Sequence, residues 1–246
     1  MDIIVDPTHE LMSQSAARII ADAIRAKPNL SLLIATGNTP IECYRQLSAI
    51  VTSEHIDTSR LVAVQLDEYV SPENNSNAPS LFDWMQRELL QPLVIDSGNV
   101  VRFEMGQSMP RATVDVYDTK VGSIGGIDLA ILGLGPNGHL GFNEPPSAPD
   151  APTRLVDLTP ESLISNQPYW DDSQIVPSQA FTAGMTTILG ARKILLLVSG
   201  AHKNTVLRHA ITGPVSDLLP ASQLQSVSGN VTILADNAAW GDIERR

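Results

Sequence analysis

Short β-branched and leucine-rich runs alternate along this chain with stretches whose apolar residues recur every three or four positions. That alternation predicts repeated β-α units around a mostly parallel sheet. Strands are expected at Ile3–Val5, Ser31–Ala35, Leu61–Leu66, Val100–Phe103, Ile127–Leu132, Ile194–Val198 and Val231–Leu234. A helix is expected from about Pro7 to Ala26, where Met12, Ala16, Ile20, Ala23 and Ile24 form one stripe, with Pro7 suited to the first helical position and Pro28 beyond the end. Further helical patterns run from about Pro40 to Ile50, Ser80 to Leu90, Arg111 to Val121, Met185 to Leu189 and Ala201 to Ile211. No internal repeat or low-complexity segment interrupts them. Pro145 to Pro152 reads as a surface excursion, and nothing marks a linker, so the expectation is one α/β domain over residues 1–246.

Composition agrees with a packed domain: 43% of the 246 residues are hydrophobic. The formal net charge of −11 argues against nucleic acid or an anionic membrane as the main partner, so an anionic ligand has to be held locally. Cys43 is the only cysteine, which leaves no intrachain disulfide or cysteine metal cage and points to a reducing cytoplasm. The segment Met1 to Asp6 lacks the features of a signal peptide, and no apolar run approaches the roughly 20 residues of a membrane helix.

In a doubly wound, three-layer Rossmann-like sheet, ligands gather at the carboxyl ends of the strands, so the residues after each strand belong to one surface. After Ala35 comes Thr36-Gly37-Asn38-Thr39-Pro40, a small polar turn opening a helix. Its free N–H groups and hydroxyls suit an anion; the plainer alternative is a helix capped by Thr39 with Pro40 in first position. After Leu66 come Asp67 and Glu68, either a general base beside a crevice or a solvated acidic pair. After Leu132 comes Gly133-Leu134-Gly135-Pro136-Asn137-Gly138-His139-Leu140-Gly141-Phe142-Asn143-Glu144-Pro145. Its spacing lets the Glu144 carboxylate orient the His139 ring. After Val198 comes Ser199-Gly200-Ala201-His202-Lys203, where Lys203 opposes the helix macrodipole unless an anion binds there; the plainer alternative is an exposed lysine on a tolerant surface.

Taken together these loops resemble the glucosamine-6-phosphate deaminase family, through Ala35–Pro40, Leu66–Val70, the glycine-rich loop ending in Asn143-Glu144-Pro145, and Ser199–Lys203. Galactosamine-6-phosphate deaminase/isomerases look as close, in Leu132–Gly141 and Val215–Ser222. The related 6-phosphogluconolactonases share the fold but typically follow the histidine with a different segment. The resemblance implies isomerisation of an amino-sugar 6-phosphate coupled to deamination, with no cofactor and no metal. By that resemblance the catalytic set is Asp67, His139, Glu144 and Asn137. His139 would assist ring opening with Glu144 holding it, and Asp67 would move the proton from C2 to C1. Thr36, Gly37, Asn38, Thr39 and Lys203 would hold the 6-phosphate, and Glu68, the neighbour of Asp67, is grouped with the substrate-binding residues. The family includes monomers and larger assemblies, so self-association stays open.

The chain departs from the pattern at two places. Asn137 stands where many members carry aspartate, which makes it an orienting group rather than an ionising one. Pro168 stands where many deaminases carry a phosphate-binding arginine, so either Lys203 and the Thr36 loop suffice, or another cation such as Arg154 or Arg192 substitutes, or the substrate differs. Arg154 also matches an effector-binding position of allosteric members, but Val156 replaces their lysine. The spacing of Gly133 and Gly135 does not complete a dinucleotide fingerprint, and His9, His55, His202 and His209 have no metal-site spacing with carboxylates. The competing class is a sugar-phosphate sensor with the same fold and no catalysis.

Overall fold

A computed structural model describes residues 1–71, 79–105, 109–171 and 173–243. In chain order the first half comprises β1 (Asp2–Asp6), α1 (His9–Ala26), β2 (Ser31–Ile34), α2 (Asn38–Ser53), β3 (Val62–Gln65), β4 (Asp67–Tyr69), α3 (Leu81–Met85), β5 (Val100–Val101) and α4 (Pro110–Ser123). A π-helical turn, Gln86–Leu90, extends α3. The second half comprises β6 (Leu129–Gly133), β7 (Arg154–Asp157), α5 (Pro160–Asn166), β8 (Gln179–Thr182), α6 (Met185–Leu189), β9 (Lys193–Val198), α7 (Asn204–Thr212), β10 (Val231–Asp236) and α8 (Asn237–Trp240).

The seven strands expected from the hydrophobic pattern form one parallel sheet in the order β1-β10-β9-β6-β2-β3-β5. Alternate strand residues enter different cores, as the two-residue period of a strand requires. Leu32, Ile34, Ile131 and Leu197 pack with Met12, Ile20 and Leu47 of α1 and α2. Leu33, Ala130, Leu132 and Leu196 pack on the opposite face with Tyr117 of α4, Ile188 of α6 and Leu207 of α7. This gives the three-layer α/β architecture. Among the described residues no helix is long and apolar enough to cross a membrane.

From β2 the chain proceeds outward to β3 and β5, then crosses to β6 on the other side of β2 and continues to β9 and β10. The loops after β2 and β6 therefore diverge and open a crevice between them. A second sheet, β4-β8-β7, is antiparallel and absent from the sequence reading, because its strands Asp67–Tyr69, Gln179–Thr182 and Arg154–Asp157 are too short to show a hydrophobic period. It pairs Asp67 with Thr182, and Asp67 and Tyr69 of β4 line the crevice.

Two helix starts differ from expectation. Thr8 caps α1, accepting the Leu11 N–H at 3.3 Å, so Pro7 lies before the helix rather than in its first position. Gly37, at φ 99°, occupies the cap position of α2, so the helix begins at Asn38 and Thr39 does not cap it. Pro40 then falls in the first turn, where its missing N–H costs nothing.

Candidate active site

A cavity of about 500 Å³ opens at the carboxyl ends of β2, β3, β6 and β9, bringing the four loops singled out in the sequence to one place. One side is the start of α2. The positive φ of Gly37 turns the backbone without a Cβ clash, and no side chain caps the helix, so its first N–H groups remain available to an anion. Lys203 completes this side. Its ammonium joins none of the ion pairs among the described residues, and burial lowers its pKa. An unpaired, half-buried cation beside free helix N–H groups is a site for a phosphate or carboxylate. Asp236 holds the approach to Lys203: it accepts the Ser199 hydroxyl at 2.5 Å and the Gly200 N–H at 3.1 Å while capping α8 through the Ala239 N–H. His9 also borders the cavity and meets the Thr39 carbonyl at 2.9 Å.

Asp67 lies on the cavity floor, 4% exposed, with the Thr36 hydroxyl at 3.5 Å. Burial, reinforced by the Glu68 charge, pushes its pKa up to about 8, against the opposing Thr36 contact. Such a carboxyl is poised to exchange protons near neutral pH.

His139 faces Asp67's cavity from the loop after β6. Its Nδ1 donates to Glu144 Oε2 at 3.1 Å, and since a carboxylate only accepts, the Nε2 edge is left for the cavity. Asn137 Nδ2 donates to the same Glu144 oxygen at 2.7 Å, and Asn137 Oδ1 accepts the His139 N–H at 3.2 Å. The Ser162 hydroxyl, from α5, donates to Glu144 Oε1. Burial acts to raise the Glu144 pKa, but the His139, Ser162 and Asn137 contacts outweigh it and hold the carboxyl at about 2. Glu144 is thus a fixed negative charge behind the ring. Gly135 is needed for this geometry: a Cβ there would lie 2.2 Å from His139 Cδ2.

Residues 7–233 match the model of the family described as glucosamine-6-phosphate isomerases/6-phosphogluconolactonase. The chain belongs to this family. A glucosamine-6-phosphate deaminase of Halothermothrix orenii is 37% identical over 244 residues, covering 97% of this chain and 98% of that protein. One of Streptomyces coelicolor is 36% identical, with 97% and 91% covered. Among solved structures, a protein described as a monomeric glucosamine-6-phosphate deaminase superposes with a TM-score of 0.91 at 35% identity, covering 97% of this chain and 98% of its own. The 6-phosphogluconolactonase of Trypanosoma brucei superposes with a TM-score of 0.74 at 20% identity, covering 99% and 98%, a likeness of fold.

Within this family fold, Asp67, His139, Thr36, Gly37, Asn38, Thr39 and Lys203 all border the cavity, with Asn137 and Glu144 directly behind His139. Glu68 corrects the sequence reading. It turns from the cavity to the start of α3, where Oε1 accepts the Leu81 and Tyr69 N–H groups at 2.8 and 2.9 Å and Oε2 accepts the Phe82 N–H at 2.9 Å and Gln65 Nε2 at 2.8 Å. Burial raises its pKa despite these donors. Glu68 is therefore a buried helix-capping carboxylate, not a substrate contact.

Neither arginine offered as a phosphate ligand reaches the cavity. Arg154 donates to Asn143 Oδ1 at 2.8 Å and Ser147 Oγ at 3.0 Å, bracing the backbone that follows Glu144. Arg192 pairs with Asp128 at 3.0 Å at the amino end of β6, opposite the cavity. Pro168 is exposed, while Ser165, Asn166 and Trp170 from the same segment form cavity wall. Sequence reasoning missed Ser162 and that wall because α5 carries too short an apolar pattern to register as a helix. The capping signal Thr159-Pro160-Glu161 was there to be read: Thr159 Oγ1 accepts the Ser162 N–H at 3.3 Å.

Proposed function

We propose that the cavity converts an amino-sugar 6-phosphate, glucosamine 6-phosphate foremost, to the ketohexose 6-phosphate and ammonia. The observation that carries this is the placement of a buried carboxyl tuned to about 8 across one cavity from a histidine oriented by a carboxylate, with an anion cradle at its side. The deaminases of H. orenii and S. coelicolor, similar over nearly the whole chain, support it independently.

The 6-phosphate sits against the first N–H groups of α2, the Thr36 and Thr39 hydroxyls and the Lys203 ammonium. This anchor fixes the sugar so that C1 and C2 lie between Asp67 and His139, turning proton transfers into oriented steps within one complex. His139 carries the anomeric hydroxyl proton to the ring oxygen, opening the ring to the aldehyde, and Glu144 stabilises the ring while it is charged. Asp67 removes the C2 proton, made acidic by the adjacent carbonyl, and returns it to C1. As C1 takes that proton, one proton of the C2 ammonium passes to the former carbonyl oxygen, C2 becomes an iminium carbon, and water adds there to expel ammonia and leave the ketone.

With burial pushing its pKa up to about 8, Asp67 favours its protonated form near neutral pH. The substrate's own ammonium at C2 supplies the positive charge that favours the ionised, basic form. The amino group thereby helps to activate its own base, which a lactone cannot do.

The test is ammonia release from glucosamine 6-phosphate and galactosamine 6-phosphate, run beside hydrolysis of 6-phosphogluconolactone. Turnover of at least one amino sugar is expected. Lactone hydrolysis without ammonia release from either would overturn the assignment.

A further inference from the structure

We infer that Ser162 is a positioning residue for the proton transfer at His139, the hydroxyl that pins the plane of the Glu144 carboxylate and thereby the imidazole. The inference rests on the reaction proposed above. None of the roles carried by the family resemblance falls on Ser162.

Both carboxylate oxygens of Glu144 accept hydrogen bonds. Oε2 receives Asn137 Nδ2 at 2.7 Å and His139 Nδ1 at 3.1 Å. Oε1 receives the Ser162 hydroxyl. The terminal torsion of a glutamate is broad and nearly two-fold, so a carboxylate held at one oxygen rotates readily. Held at both oxygens by donors from two separate elements, it cannot rotate without breaking a hydrogen bond, and Oε2 stays opposite Nδ1. Without the Ser162 donor, Oε1 would be a buried anionic oxygen lacking a partner, a costly arrangement that rotation of the carboxylate would relieve at the expense of the His139 contact.

Ser162 is suited to the task in two further respects. Its side chain is fully buried, so water does not compete for the carboxylate. Its oxygen lies 3.5 Å from His139 Nδ1, and because its hydrogen is committed to Glu144 it presents only lone pairs to the ring, favouring the tautomer with the proton on Nδ1. The cavity-facing nitrogen of His139 is then free to accept the anomeric proton. The last turn of α5 brings Ser165 and Asn166 to the cavity, so one short helix carries both sugar wall and dyad anchor.

The experiment compares Ser162→Ala, Ser162→Thr and Ile164→Ala, the last a control on the same helix at a residue 74% exposed. For S162A, kcat for ammonia release should fall on the order of tenfold to a hundredfold, the loss expected for one hydrogen bond to a charged group, while KM stays within about twofold. S162T should recover most of kcat, and I164A should match wild type. A substrate-free reading comes from the downfield proton resonance of His139 Nδ1–H, expected in wild type, S162T and I164A and lost in S162A. An unchanged kcat in S162A, a loss that threonine does not rescue, or an Nδ1–H resonance that persists in S162A would overturn the inference. A wild-type protein that deaminates neither amino sugar sinks the proposed function alone, because the resonance tests the Ser162 contact without substrate.

Discussion

Replacing Asp67 by asparagine should nearly abolish turnover and also stabilise the protein, by an amount that depends on pH. In the folded chain Asp67 is 4% exposed, and burial together with the Glu68 charge raises its pKa to about 8. In the unfolded chain an aspartate ionises near about 3.9. Between those values the folded state holds a proton that the unfolded state has released, so stability falls as pH rises. At about 1.4 kcal/mol per unit, the roughly three units between 3.9 and neutrality correspond to a wild-type penalty on the order of 4 kcal/mol at pH 7, levelling off above the folded pKa. D67N keeps an amide oxygen to accept the Thr36 hydroxyl and has no charge to desolvate. Urea midpoints of both proteins near pH 4, 6 and 8 read the difference, provided the slopes agree. Carboxylates held low in the folded state, Asp128, Glu144 and Asp236, titrate in both proteins and cancel in the comparison. The advantage of D67N should grow from near zero at the acid end to several kcal/mol at the alkaline end. A gap that does not change with pH, or a variant less stable than wild type near pH 8, would refute the account of Asp67 as a buried, strained acid.

Two further variants probe the loops around it. Gly135→Ala places a Cβ 2.2 Å from His139 Cδ2, so the ring must move; kcat should drop about a hundredfold, the scale of a 1 Å misplacement, and a variant with wild-type kcat would show that His139's position is not critical. Lys203→Met removes a cavity cation that joins no ion pair among the described residues. KM for the sugar phosphate and the inhibition constant of inorganic phosphate should both rise roughly tenfold to a hundredfold, and unchanged phosphate inhibition would move the cradle elsewhere.

The parallel sheet and the cavity loops were legible because their signals are local. Strands such as Ile194–Val198 are runs of buried aliphatics, and each candidate loop is a cluster of glycine and polar residues at a strand end. The contribution of α5 was not legible, since Ser162 gains its meaning only by meeting Glu144, 18 residues away in sequence. Nor could sequence decide which cations face the ligand: Arg154 and Lys203 are both half-buried, yet one is tied to Asn143 and Ser147 while the other is unpaired.

Asp67 and Glu68 make the same point at single-residue resolution. They are adjacent carboxylic acids, buried alike, and nothing in composition separates them. They separate because β4 pairs with β8, and successive residues of a strand point to opposite sides. That register sends Asp67 to the cavity and Glu68 to the α3 N-terminus, where backbone donors hold it. The outcome couples a structural role to a chemical one. Glu68 caps a helix, and its charge, held beside Asp67 by that cap, helps lift the neighbouring carboxyl toward the pH at which it can both take and return a proton.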